Sequence, residues 1–251
     1  MRRLWRDIAM KKYLCVFLLL FQMLFFFRLD LLAISNELET ESFDQSREAE
    51  VLSRIKISLL TEEAEKWPIE CFDVNENGMI VLGLADPGFH SERNCLYVYS
   101  SDGVFQYGYS FESSGSFYVE WNQDNIEIYL ARSDIIVILN PKEQTQSAVQ
   151  IKDVTESSHY INQVLRLRER QVGDTKYIIQ NDMGVLNLIS SSYSQMLVVN
   201  GEETIMIYDV NSNAITRVII KIVTVCLMAC VVILGLLIQC LYLWRNKKIK
   251  T

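Results

Sequence analysis

Proline is scarce in this chain, three in 251 residues, and glycine numbers only ten. That excludes collagen-like and proline-rich classes. Histidine is scarcer still, at two. His90 and His159 stand far apart with no other His or Cys at ligand spacing, so no metal centre is expected. There is no Asn-x-Ser/Thr sequon, which fits a bacterial cell surface better than a glycosylated one. Also missing are a Gly-x-Ser-x-Gly elbow, a His-Glu-x-x-His pair, a phosphate-binding glycine loop and a Gly-x-Gly-x-x-Gly fingerprint. No catalytic, cofactor-binding or metal-binding residue is assigned, and no cofactor is expected. What the chain has is apolar material: half of its residues. That excludes a disordered chain.

The net charge of −7 hides a split. Residues 1–12 carry five basic side chains and one acidic, and residues 245–251 carry four and none. Residues 35–217 carry 13 basic against 29 acidic, a net of −16. Two apolar blocks separate these regions. Ile222–Trp244 is 23 residues without a charge, and about 20 suffice to cross a bilayer. The predicted helix is 218–244. Tyr13–Phe27 begins a second block, read as a signal-anchor helix over 13–34. A cleaved signal peptide ending near Ser35, leaving a single C-terminal span, is the alternative. Basic flanks place both tails in the cytoplasm and residues 35–217 outside. The expected partners are therefore a lipid bilayer through two helices, together with an envelope or membrane protein or a second copy of the chain. Nucleic acid is excluded, because a −16 segment repels phosphates. The same charge disfavours anionic headgroups.

Residues 35–67 read as an acidic juxtamembrane stalk of helical character, with a strand over Arg54–Leu60 as the alternative. From residue 68 to 212 the chain reads as a β-repeat domain. Ile69–Asn75 and Met79–Ala85 flank Glu76-Asn77-Gly78. Cys95–Ser100 and Val104–Phe111 flank Ser101-Asp102-Gly103. Asn-Gly and Asp-Gly between apolar runs are hairpin signals, because these residues tolerate positive φ. A second unit follows about 47 residues on: Phe117–Asn122, Ile126–Arg132, Ile135–Asn140 and Thr145–Ile151. A weaker third has Lys176–Asn181, Val185–Ile189, Met196–Val199 and Thr204–Asp209. Between them, Asn162–Arg170 fits a strand or a short helix, with a strand paired to Lys176–Asn181 preferred.

FDVNENGMIVLGLA followed by NCLYVYSSDGVFQYGYSF resembles an NHL-type β-propeller repeat, in which one such hairpin precedes another. The resemblance covers 69–111 well, 116–151 less well and 175–210 poorly. It implies a blade-like fold and a binding role, and it brings no catalytic residues. Three units do not close a six-bladed ring. The fold class expected is therefore mainly β: three blade-like meanders forming an open propeller, a sandwich or half of a dimeric ring, plus two transmembrane helices.

Asp73-Val-Asn75-Glu-Asn77-Gly78 has the look of a half calcium loop, but its twelfth position is Leu84, so a hairpin turn is preferred. Cys71 and Cys95 fall on the first and third strands of one unit. One strand between them implies about 10 Å, beyond disulfide reach, so free thiols are expected. The dense aromatics from Tyr97 to Trp121 read as packing between units rather than as a sugar platform. Arg132 is expected to pair with a carboxylate such as Asp134, or to mark a strand edge. Cys226, Ala229, Cys230 and Gly235 form a small-residue stripe that could seat another helix. The function expected is a membrane-anchored extracytoplasmic interaction module. The alternatives are an envelope hydrolase using paired carboxylates and a regulatory subunit of a membrane complex.

Overall fold

The structure is a computed structural model that describes residues 38–88, 91–142, 144–152, 158–188 and 192–248. The predicted tail 1–12, the predicted helix 13–34 and His90 lie outside the described residues. From Glu39 onward the chain forms one unit.

Strand β1 is Thr40–Ser42, helix α1 is Gln45–Ile55 and β2 is Ser58–Leu60. Twelve further strands follow. They are β3 (Ile69–Val74), β4 (Ile80–Ala85), β5 (Arg93–Tyr99), β6 (Phe105–Glu112), β7 (Phe117–Asn122) and β8 (Asn125–Leu130), then β9 (Ile135–Asn140), β10 (Thr145–Ile151), β11 (Glu169–Val172), β12 (Thr175–Gln180), β13 (Gln195–Asn200) and β14 (Glu203–Asp209). A long helix, α2, spans Asn211–Lys248. The strands make three antiparallel sheets, and none closes into a barrel. In order across each, they are β2-β6-β5-β4-β3, β1-β10-β9-β8-β7 and β11-β12-β13-β14.

The first sheet lies between the other two. Its alternating side chains therefore enter two different cores. Phe72, Leu82, Tyr97 and Tyr99 pack against Tyr177, Met196 and Tyr208 of the third sheet. Val81, Leu96, Val98 and Phe111 pack against Phe117, Val119, Ile128 and Val137 of the second. Strand β4 lies inside this middle sheet, between β5 and β3, and Ile80, Val81, Leu82 and Leu84 are fully buried. That explains why its sequence is a continuous apolar run rather than an alternating one. Aromatic rings meet edge to face within and across these layers, as in Phe111 on Phe117 at 5.0 Å. The dense aromatics are thus sheet-to-sheet packing.

The turns follow their sequence signals. The Asn75 side chain accepts from Asn77 N–H and Met79 N–H, and Gly78 takes φ +75°. Gly103 closes the β5–β6 turn at φ +79°. A side chain at either position would be strained. The would-be calcium loop is therefore an Asx-stabilised hairpin turn.

Two expectations are corrected. Within the expected stalk, the helical character holds at Gln45–Ile55 and the alternative strand at Ser58–Leu60, but residues 40–60 are built into the β-domain. Strand β1 pairs with β10 and β2 pairs with β6, so this arm adds a fifth strand to two sheets. It also covers edges that would otherwise stand open. Helix α1 lies between these strands, with Ile55 buried in the second core. Asp44 caps it, accepting from Arg47 N–H at 2.9 Å, and Lys56 ends it in the left-handed region. The second correction concerns the third unit. The described part of the predicted strand Val185–Ile189 is not a strand, because Gly184–Leu188 forms a 3-10 turn. The strand expected upstream to pair with Lys176–Asn181 is β11, which meets β12 across Gly173-Asp174. Both readings of 162–170 are realised, a π-helical turn at Ile161–Leu165 and then β11.

Helix α2 begins earlier than the predicted residue 218. One residue separates it from β14, and there is no linker. Asn211 fastens the junction: its N–H donates to Asp209, its amide donates to the Asp182 carbonyl, and its side-chain oxygen accepts from Ser194 Oγ. Ala214 and Val218 then pack on Met183. Beyond them α2 is long and apolar enough to cross a membrane by length and composition. A second such helix is not found among the described residues. Cys226 and Cys230 of the small-residue stripe are exposed, and a side chain at Gly235 would meet nothing within 4 Å.

Candidate functional site

The edge strands β3, β7 and β11 bring polar side chains into a seam between the sheets. Asp73 on β3 accepts from Trp121 N–H on β7 at 2.7 Å and from Arg170 Nε on β11 at 2.9 Å. One residue thus ties three sheets. Both side chains of the ion pair are nearly enclosed, 11% exposed for Asp73 and 14% for Arg170. Burial raises the Asp73 carboxyl above its ordinary value, although the Trp121 N–H and the Arg170 guanidinium both favour its charged form.

Next to it, Glu120 on β7 accepts from Tyr160 and from Tyr129 at 2.8 Å. The Tyr129 hydroxyl also lies 2.9 Å from Glu127. A phenol has one proton to give. Both contacts are hydrogen bonds only if one of the two carboxyls is protonated, and burial raises Glu120 in that direction. This is the closest described arrangement to the paired carboxylates of a hydrolase. Its lone pairs are taken by Tyr129, Tyr160 and Asn122.

At the other end of β3 the seam opens. Glu70 sits at a register shift between Ile69 and Cys71. It lines a cleft of about 330 Å³ with Tyr118, Arg166, Leu167, Ile179 and Tyr193. Among the described residues nothing donates a hydrogen bond to its carboxylate. Burial pushes Glu70 up to about 7, while the Lys221 ammonium on α2 pulls the other way without closing an ion pair. Arg168 stacks over Tyr193 at the same end. One turn before Lys221, Arg217 buries Nη1 with no acceptor. This unpaired acid, with Arg166 in its cleft and the Lys221 charge acting on it, is the candidate site.

No protein family, no curated protein and no solved structure matches this chain.

Other singled-out residues lie elsewhere. Cys71 and Cys95 are buried free thiols on opposite faces of the first sheet, with β4 between them. Burial raises Cys95 to about 11, so it is a poor nucleophile. His159 is exposed. No cluster of potential metal ligands occurs among the described residues. Arg132 is exposed in a turn and makes no ion pair with Asp134 among the described residues. Instead it lines a second cleft, of about 420 Å³, with Arg54, Glu92 and Glu112. A third, of about 370 Å³, lies between the Asn75–Asn77 turn and Trp121. Glu70 was missed in the sequence because it reads as one more strand residue in IECFDV. Its signal was an acid where β3 should alternate inward.

Proposed function

We propose that this chain is a membrane-anchored, extracytoplasmic interaction module without catalysis of its own. The observation that carries the reading is the junction at Asn211. A β-domain held to an apolar helix without a linker has a fixed attitude relative to that helix. This suits a domain presented to a partner in or near the bilayer. The carboxylate pair Glu120–Glu127 is engaged by its own tyrosines and lines none of the three clefts, which favours binding over hydrolysis. The blade-like reading of the three meanders and their closure in a dimer belong to the same proposal, as does a cytoplasmic location for residues 1–12 and 245–251.

The test uses the full chain in cells. Asp102→Cys puts a thiol in an exposed turn, and an impermeant maleimide should label it in intact cells. Labelling only after permeabilisation would overturn the outside location. Photocrosslinkers in the exposed turns should capture one stoichiometric membrane partner or a second copy. Recovery of the chain alone would overturn the interaction role.

A further inference from the structure

The cleft at Glu70 pairs an acid that has no donor among the described residues with a base on its lining. The carboxylate is half-buried and receives no donor from the described residues. Arg166, exposed, shares the cleft. Lys221, on α2, acts on Glu70 through its charge and is the last charge before 23 uncharged residues. Arg217 adds a guanidinium nitrogen, buried and without an acceptor, one turn further out. Residues three and four apart share a helix face, so Arg217 and Lys221 flank the side on which Ala214 and Val218 meet the domain.

If α2 spans, Lys221 stands at the level of the lipid headgroups. There the cleft offers one acid, Glu70, and one base, Arg166, with apolar walls from Leu167 and Ile179. Its volume lies in the range of small-ligand sites. We propose that this cleft binds the headgroup of one amine-bearing phospholipid, with Glu70 accepting from the ammonium, Arg166 and Lys221 donating to the phosphate, and the acyl chains running along α2. A primary ammonium supplies the N–H donors that Glu70 lacks. A choline headgroup has no N–H to give, and a glycerol headgroup can donate a hydroxyl but brings no positive charge to meet the carboxylate. The negative domain thus carries, at the foot of its helix, a local cationic exception gated by one acid.

The inference rests on the membrane reading of α2, and its test is separable from that reading. Full-length protein is placed in phosphatidylcholine nanodiscs doped with phosphatidylethanolamine or phosphatidylglycerol. Retained lipid is read by native mass spectrometry. One phosphatidylethanolamine should persist per chain, about tenfold over either competitor. Glu70→Gln should abolish that preference, and Lys221→Gln should cut retention of every phospholipid about tenfold. Leu234→Ala, on the exposed stretch of the helix, should behave as the parent, and thermal melts check folding of each variant. Equal retention of all three lipids, or an unchanged Glu70→Gln, overturns the site. Thermal stabilisation by soluble phosphoethanolamine with no lipid retained also overturns it and names a free amine phosphate as the ligand. A chain that does not enter the nanodisc at all refutes the membrane reading instead.

Discussion

Glu70 makes its own prediction about pH. Its folded-state value, about 7, lies above the ordinary 4.5. The folded state therefore holds the proton more tightly than the unfolded one. That contribution is complete below pH 4.5 and is lost as pH rises through 7. Glu70→Gln should remove the loss, so the variant should be the more stable above neutrality, by about 1–3 kcal/mol. Chemical denaturation of both proteins between pH 4.5 and 8 checks it, with the curves separating as pH rises. Asp73 behaves differently, because its charge is matched. Asp73→Asn strands Arg170 in a nearly enclosed seam and should cost about 3 kcal/mol. Adding Arg170→Met should restore part of that, read from the same denaturation curves. Neither residue announced itself in the sequence. Asp73 looked like part of a calcium loop, and only the third sheet, 97 residues away at Arg170, shows that it turns inward.

Among elements, legibility followed locality. The four strands of each of the first two units lie within two residues of their predicted positions, because hairpins are set by turns such as Asn77-Gly78 and by short alternations that neighbours share. The arm at 40–60 was legible only in part: its helical character and a strand ending at Leu60 could be read, β1 and the sheet pairing could not. Its strands are three residues long, exposed except at Leu60, and paired with β6 and β10 far along the chain. Three residues carry too little alternation to separate a strand from a stalk. The Val185–Ile189 error has a related cause: VLNLI has strand composition, yet β11 had already filled the place beside β12. Val185 is left 82% exposed. Helix α1 links the arm to the second core, so its cap matters. Asp44→Ala should destabilise by about 1 kcal/mol, visible as a lower melting temperature, with exchange of the α1 amides accelerating first.

For the molecule as a whole, the joint at Asn211 decides whether domain and helix move together. Asn211→Ala removes the side-chain bonds to Ser194 and Asp182, each worth about 1 kcal/mol. Spin labels at an exposed turn of the domain and on α2 should then show a broader distance distribution, while the domain's own melt changes little. A distribution as narrow as the parent's would mean that Ala214 and Val218 alone hold the joint.

The N-terminal arm also has a meaning in time. Thr40 pairs with Ile151, and Ser58 with Ser110. Ribosomes add roughly 5–20 residues per second, so β1 emerges roughly 5–20 s before its partner exists. The hairpins between them need no such wait. The first part of the domain to be made is therefore fixed only after hairpins that are made later. Throughout that interval β10 is not yet synthesised and the arm is a solvated chain, open to whatever chaperone or protease waits where it emerges.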